Sequence, residues 1–226
     1  LEQTLSNKRE EIIERVKKIG IKSLQLVLFK AVNGFDPQVD FEWSAFPWKL
    51  EESDNHWWNR DIKAGEIGCA LSHLSVWKHA AHQGYEKILI LEEDFDPLKP
   101  ITSDLLIEVD QSDWHLCYAG RNKVKPDLEE VSENISIPDY TYCTHSYFLS
   151  KTGIKNLLDY GFENKIMPVD EFLSATFCTH PRNDLNFIWK DVRAVAFKED
   201  YIIQSSASSV SSTENLEKVV APPSLI

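Results

Sequence analysis

Residues 65–95, GEIGCALSHLSVWKHAAHQGYEKILILEEDF, hold a helical pattern, a glycine break and an apolar run that ends in acid. Ile67, Leu71, Leu74 and Ala81 recur at helical spacing, as do Ala70 and Trp77, which predicts a helix over 64–83. Lys87 to Leu91 reads as the strand that follows. On the N-terminal side the spacing predicts a helix over 7–18, with Ile12, Ile13, Val16 and Ile19 on one stripe and Gly20 as its stop, then a strand over 24–32. On the C-terminal side it predicts a helix over 103–109, a strand over 114–119, a polar loop over 121–138 and a strand over 140–149. Helices over 151–160 and 169–177 follow, and 192–203 holds a last strand or two short ones. Helices alternating with strands give an α/β fold built on a mainly parallel sheet flanked by helices.

The chain reads as one domain over 1–226 with two embellishments. Residues 35–63 lack periodicity and carry Trp43, Trp48, Trp57 and Trp58. Such a segment is either a lid or a satellite core. The satellite core is the reading adopted, with part of it facing the functional site. The Ser-rich tail over 204–226 is expected to be mobile unless a ligand orders it. The chain also opens on a helix where a sheet of this kind normally opens on a strand, so the expectation is that a first strand is missing.

Composition narrows the partners. Apolar residues make up 42% of the 226 and aromatics 11%, which excludes disorder. A formal charge of −12 disfavours nucleic acid or an anionic membrane. An anionic substrate then requires a cation or a few placed arginines. Cys69, Cys117, Cys143 and Cys178 lie far apart, so free buried thiols are expected rather than zinc or disulfides. No apolar run reaches membrane-spanning length. The compartment stays open: the cytoplasm is favoured, and the endoplasmic reticulum lumen fits if an N-terminal signal was removed. Oligomeric state is not legible.

The end of the 88–91 strand carries Glu92, Glu93, Asp94 and Asp96. In extended backbone Glu92, Asp94 and Asp96 would share one face and Glu93 the other. Two aspartates so spaced can seat a hard divalent cation, which in turn would hold a diphosphate at the carboxyl end of a strand. A solvated acidic turn closed by Pro97 is the competing reading. Asp170 and Glu171, after Pro168 at a helix start, read by themselves as acids that favour the helix dipole. Along the 64–83 helix, Gly65, Gly68 and Cys69 permit close approach, while Glu66, Ser72 and His73 would face the ligand or simply pack on the sheet.

At this point the segment resembles glycosyltransferase family 25, with its G-E-x-G-C-x-x-S-H helix and a strand ending in an E-D-D-like cluster. AVNG at 31–34, YAGR at 118–121 and MPVDEFL at 167–173 extend the likeness over nearly the whole chain. It is closest to the collagen (hydroxylysine) galactosyltransferase branch, with bacterial lipooligosaccharide galactosyltransferases next. The resemblance implies a GT-A, Rossmann-like fold and metal-dependent, inverting transfer of galactose or glucose from a UDP-sugar donor. The acceptor would be a collagen-like protein or an oligosaccharide, and the cation manganese or another divalent ion. It implies Asp94 and Asp96 as metal ligands, with His180 as a further candidate, and Asp170 or Glu171 as base. Arg9, Ala31, Val32, Asn33, Glu66, Ser72, His73, Glu93 and Arg121 would bind the donor, with Glu92 beside them, and His145 and Tyr147 would line the acceptor groove. Some relatives of this kind are non-catalytic, so a binding protein on the same fold is the alternative.

Overall fold

In the computed structural model, residues 2–205 and 217–221 are described. Helix α1 (Glu2–Lys18) buries Ile12, Val16 and Ile19 and stops near Gly20, whose φ of +84° suits glycine. A β-carbon there would also stand 2.8 Å from Pro100 Cβ. Strand β1 (Val27–Lys30) follows, shorter than predicted. Helix α2 (Ala64–Gln83) and strand β2 (Lys87–Leu91) have the predicted bounds. Gly84 ends α2 in the left-handed region, its N–H bonding back to the Ala80 and Ala81 carbonyls.

Beyond β2 come β3 (Phe95–Pro97), α3 (Ser103–Asp110) and β4 (Leu116–Lys123). The predicted loop over 121–138 instead contains the end of β4 and two short strands, β5 (Glu129–Glu130) and β6 (Ile135–Ile137). They are too short and too polar to show a period. Then come β7 (Thr141–Ser150), α4 (Lys151–Asp159), α5 (Val169–Ala175), β8 (Ala194–Phe197), β9 (Ile202–Gln204) and β10 (Glu217–Ala221). The run predicted over 192–203 is indeed two strands, and they join different sheets.

The main sheet has eight strands in the order β1-β10-β2-β7-β4-β8-β6-β5, and β3 pairs with β9 separately. It is mixed rather than mainly parallel. The β4–β8 pair is parallel and every other neighbouring pair is antiparallel. Strands β1, β2, β4 and β8 do share one direction, but β10 and β7 run between them reversed. The connection from β4 to β7 contains no helix to carry a parallel crossover, so β7 returns antiparallel.

Both faces of the sheet are covered. Ile88, Ile90, Leu116, Tyr118, Tyr147 and Leu149 point into a core shared with α2, α4 and α5. Leu89, Leu91, Cys117, Ala119 and Phe148 point into a second core with α1 and α3. This is period two read on a sheet buried on both sides. From the aromatic segment 35–63, Trp48 is buried in the first core, and Val39, Phe41, Trp43, Phe46, Trp58 and Ile62 pack against it. The architecture is α/β of the GT-A, Rossmann-like kind. No helix among the described residues is long and apolar enough to cross a membrane. The predicted tail lies, from 206 to 216 and from 222 on, outside the described residues.

Candidate active site

The acid cluster does not continue the strand. Strand β2 stops at Leu91, the Glu92 N–H bonds the His145 carbonyl at 3.0 Å, and the Phe95 N–H bonds back to Glu92 O at 3.0 Å, so the chain turns. The expected alternation fails for that reason. Glu92 and Glu93 are partly exposed, Asp94 is buried and Asp96, in β3, is exposed. Gln204, the last residue of β9, reaches over the turn and donates its amide N–H to Asp94 Oδ2 at 2.7 Å. The Ser205 N–H bonds Asp94 O at 2.7 Å.

Strand β7 faces this turn with an irregularity of its own. Its register against β4 slips between Gly120/Ser146 and Asn122/Tyr142, and Cys143 sits at φ +73°. A non-glycine residue held there inside a strand is strained, and bulges of this kind re-aim side chains. Cys143 Sγ lies 3.7 Å from Gln204 Oε1. Burial, then the charges of Asp170, Glu92 and Asp94, push its thiol up to about 11. One thiol thus senses the acid turn and the start of α5 together.

Asp170 occupies that helix start. Its Oδ1 accepts the Glu171 N–H at 2.9 Å, and the Cys143 N–H also bonds its carboxyl. The residue keeps some surface, but its carboxyl is enclosed. Burial, and behind it the Glu171 and Glu92 charges, raises it to about 7, against the pull of the two backbone donors. A carboxyl poised near neutrality is what proton removal at neutral pH requires.

Glu171 is placed for a different job. It is buried and accepts from Trp58 Nε1 at 2.9 Å, from the Tyr140 hydroxyl at 2.7 Å and from His180 Nε2 at 2.7 Å. The other ring nitrogen of His180 accepts the Arg182 N–H at 3.0 Å. Both nitrogens of His180 are therefore engaged, and it braces Glu171 rather than facing the acid turn as a metal ligand. Arg182 is fully buried, donates to Trp48 O at 2.7 Å and lies 4.2 Å over the Trp48 ring. Through Trp48 and Trp58 the aromatic segment is clamped to the helix that carries Asp170.

The 31–34 turn docks on α2. Ser72 Oγ accepts the Val32 N–H at 2.8 Å and donates to Gly68 O at 2.6 Å. A β-carbon on Gly68 would sit 2.5 Å from Val32 O, and one on Gly34 1.6 Å from Ala64 O, so both positions exclude side chains. Ala31 and Val32 are partly exposed, while Asn33 is exposed and caps the turn by accepting the Phe35 N–H at 3.0 Å. Glu66 accepts the Lys63 N–H at 2.8 Å and takes both terminal nitrogens of Arg60, which makes it a helix-capping acid. Farther along α2, buried His73 joins Tyr147 to Glu92. Cys69, His73 and Glu92 offer one ligand atom each within 4.8 Å of one another.

Several expected residues stand elsewhere. Arg9 is exposed on α1. Arg121, near the C-terminal end of β4, is buried and paired with Asp127. His145 turns the other way at the β7 irregularity, its Nε2 facing Ile202 O at 3.0 Å, and Tyr147 lies in the core. Neither lines an open groove. In their place the structure brings in Arg15, Gln204, Thr144 and Trp58. Arg15 donates to Glu93 O at 2.8 Å and Phe95 O at 2.7 Å and covers the Phe95 ring, pinning the acid turn. In the sequence it is only a polar position beside the α1 stripe. Gln204 had a signal, as the polar residue that ends the last apolar run.

Residues 3–173 match the family described as Glycosyltransferase family 25 (LPS biosynthesis protein). The chain belongs to glycosyltransferase family 25. Among curated proteins this family 25 chain is 34% identical over 148 residues to procollagen galactosyltransferase 1-B of Xenopus laevis, covering 60% of the chain and 24% of that protein. It is 36% identical over 132 residues to procollagen galactosyltransferase 2 of Homo sapiens, covering 54% and 21%. It is 32% identical over 145 residues to a Mus musculus protein named inactive glycosyltransferase 25 family member 3, covering 59% and 24%. The family 25 chain thus spans about a quarter of the length of these relatives.

Proposed function

We propose that this family 25 domain transfers a hexose, galactose or glucose, from a UDP-sugar to the hydroxyl of a hydroxylysine-type side chain, with inversion at the anomeric carbon. The family match supports the proposal, and the observation that carries it is the place of Asp170: an enclosed carboxyl at the start of α5, accepting the Glu171 N–H at 2.9 Å and raised by burial to about 7. Asp170 takes the acceptor hydroxyl proton, and Glu171, saturated by three donors, fixes the helix that presents it.

The oxygen donors of Asp94 and Asp96 suit a hard divalent cation such as manganese better than a soft one. When bound, such an ion neutralises charge on the departing diphosphate. Gln204 holds the Asp94 carboxylate in place, and Arg15 holds the backbone of the turn.

The test is UDP release from UDP-galactose and UDP-glucose with manganese, with a hydroxylysine-bearing collagen-like peptide or an oligosaccharide as acceptor. Peptide-dependent release supports the proposal. Release that responds only to the oligosaccharide assigns a lipooligosaccharide-type acceptor instead. A non-catalytic binding role is the second reading, favoured by a relative named inactive at 32% identity. UDP affinity without release under any acceptor would establish it.

A further inference from the structure

The mechanism above leaves a buried chain of polar groups unused. Trp77, His73 and Tyr147 are each 0% exposed, in the layer between the sheet and α2. Polar groups in such a place persist when every member is satisfied, and here the donors can be ordered from the indole N–H outward. The Trp77 indole N–H can only donate, and it points at the Tyr147 oxygen at 3.1 Å. The Tyr147 hydroxyl keeps its proton, because burial drives its acidity well below that of a free phenol. That proton faces His73 Nδ1 at 2.7 Å. With Nδ1 accepting, Nε2 carries the ring proton and donates it to Glu92 Oε1 at 2.8 Å. The opposite tautomer would set a nitrogen lone pair against a carboxylate. Thr144 Oγ1 at 2.7 Å and Cys69 Sγ at 3.9 Å also donate to that Glu92 oxygen.

We propose that His73 is a positioning residue: locked in its Nε2–H tautomer by Tyr147 and Trp77, it holds Glu92 in the acid turn after β2, where that carboxylate orients the sugar of the nucleotide donor. The proposal rests on the transferase reading for its role, but the hydrogen-bond chain can be tested without turnover. The three-ligand arrangement of Cys69, His73 and Glu92 also has the composition of a zinc site. A protonated Nε2 cannot ligate zinc, so the hydrogen-bonded chain and a zinc site exclude each other.

Two measurements decide it. In histidine-labelled protein, 15N NMR should show His73 as the neutral Nε2–H tautomer, and Tyr147→Phe should shift its Nδ1 resonance. In steady-state kinetics, His73→Leu should raise the KM for the UDP-sugar about tenfold or more, the scale on which losing a partner of a ligating group acts. Its acceptor KM should stay unchanged. His73→Gln, which keeps an N–H donor near the Nε2 position, should recover most of that loss, which a merely structural role would not predict. If His73→Leu unfolds, Tyr147→Phe serves as the milder variant, with a smaller rise in the same KM. A wild-type Nδ1–H tautomer, a donor KM unmoved in both variants, or stoichiometric zinc lost in Cys69→Ser would each overturn the proposal. If the wild type turns over no UDP-sugar, the transferase reading fails by itself. The tautomer and the calorimetric UDP affinity of the same variants then decide whether His73 positions Glu92.

Discussion

Replacing Asp170 with Asn should make the protein more stable at alkaline pH while removing its activity. The enclosed carboxyl has its ordinary value of 3.8 raised to about 7. The sign follows from linkage: the folded state holds this proton more tightly than the unfolded chain, so between pH 4 and 7 stability falls as pH rises. Each pH unit is worth about 1.36 kcal/mol, which sets an upper bound of about 4 kcal/mol on the cost of the ionised form above pH 7. Allowing for the residue's remaining contact with water, the cost is about 2–4 kcal/mol. Asp170→Asn removes the charge and keeps an oxygen for the Glu171 N–H. Urea unfolding of both proteins at pH 4.5 and pH 8 gives the difference, since titrating groups that do not interact with Asp170 cancel. The variant should gain roughly 2–4 kcal/mol at pH 8 and about 1 kcal/mol or less at pH 4.5, and its turnover should fall by about 10²–10⁴. Equal stability differences at the two pH values would refute an elevated Asp170, and with it the reason for calling it the base.

The neighbouring acid should behave oppositely. Glu171→Ala strands the Trp58, Tyr140 and His180 donors in the interior, and thermal or urea unfolding should report a loss of about 3–5 kcal/mol. Gly68→Ala drives a methyl to 2.5 Å from Val32 O, so it should lose roughly 1–3 kcal/mol on the same assay. Arg15→Ala removes the guanidinium bonds to the Glu93 and Phe95 carbonyls; hydrogen exchange across 92–97 should speed up, with a stability loss of about 1–3 kcal/mol.

The fold was legible where one residue pattern met one environment. The bounds of α2 and β2 follow from spacing alone, because both elements bury their apolar residues against the same layers and Gly84 punctuates the junction. Strand direction was not legible. Whether β7 lies parallel or antiparallel depends on the helix-free excursion over 124–140, whose short polar strands carry no period. The site shows the same division. The acid cluster, Asp170 and the His73 helix stand out by residue type, but which face each side chain takes is set by local departures from regularity. The turn after Leu91 separates Asp94 from Asp96 by burial, and the positive φ of Cys143 turns His145 away while leaving Thr144 on Glu92. Pairs such as Arg15 with Glu93 and Trp58 with Glu171 lie 78 and 113 residues apart in sequence, beyond any periodicity.

In the proposed transferase, the acids at the end of β2 seat a divalent cation for a nucleotide diphosphate. Electron paramagnetic resonance of manganese titrated into the protein with UDP tests it most directly. Wild type should bind one manganese per chain in a UDP-dependent manner, and Asp94→Ala should abolish that binding while leaving the unfolding transition intact. UDP-dependent manganese binding that persists unchanged in Asp94→Ala would contradict it.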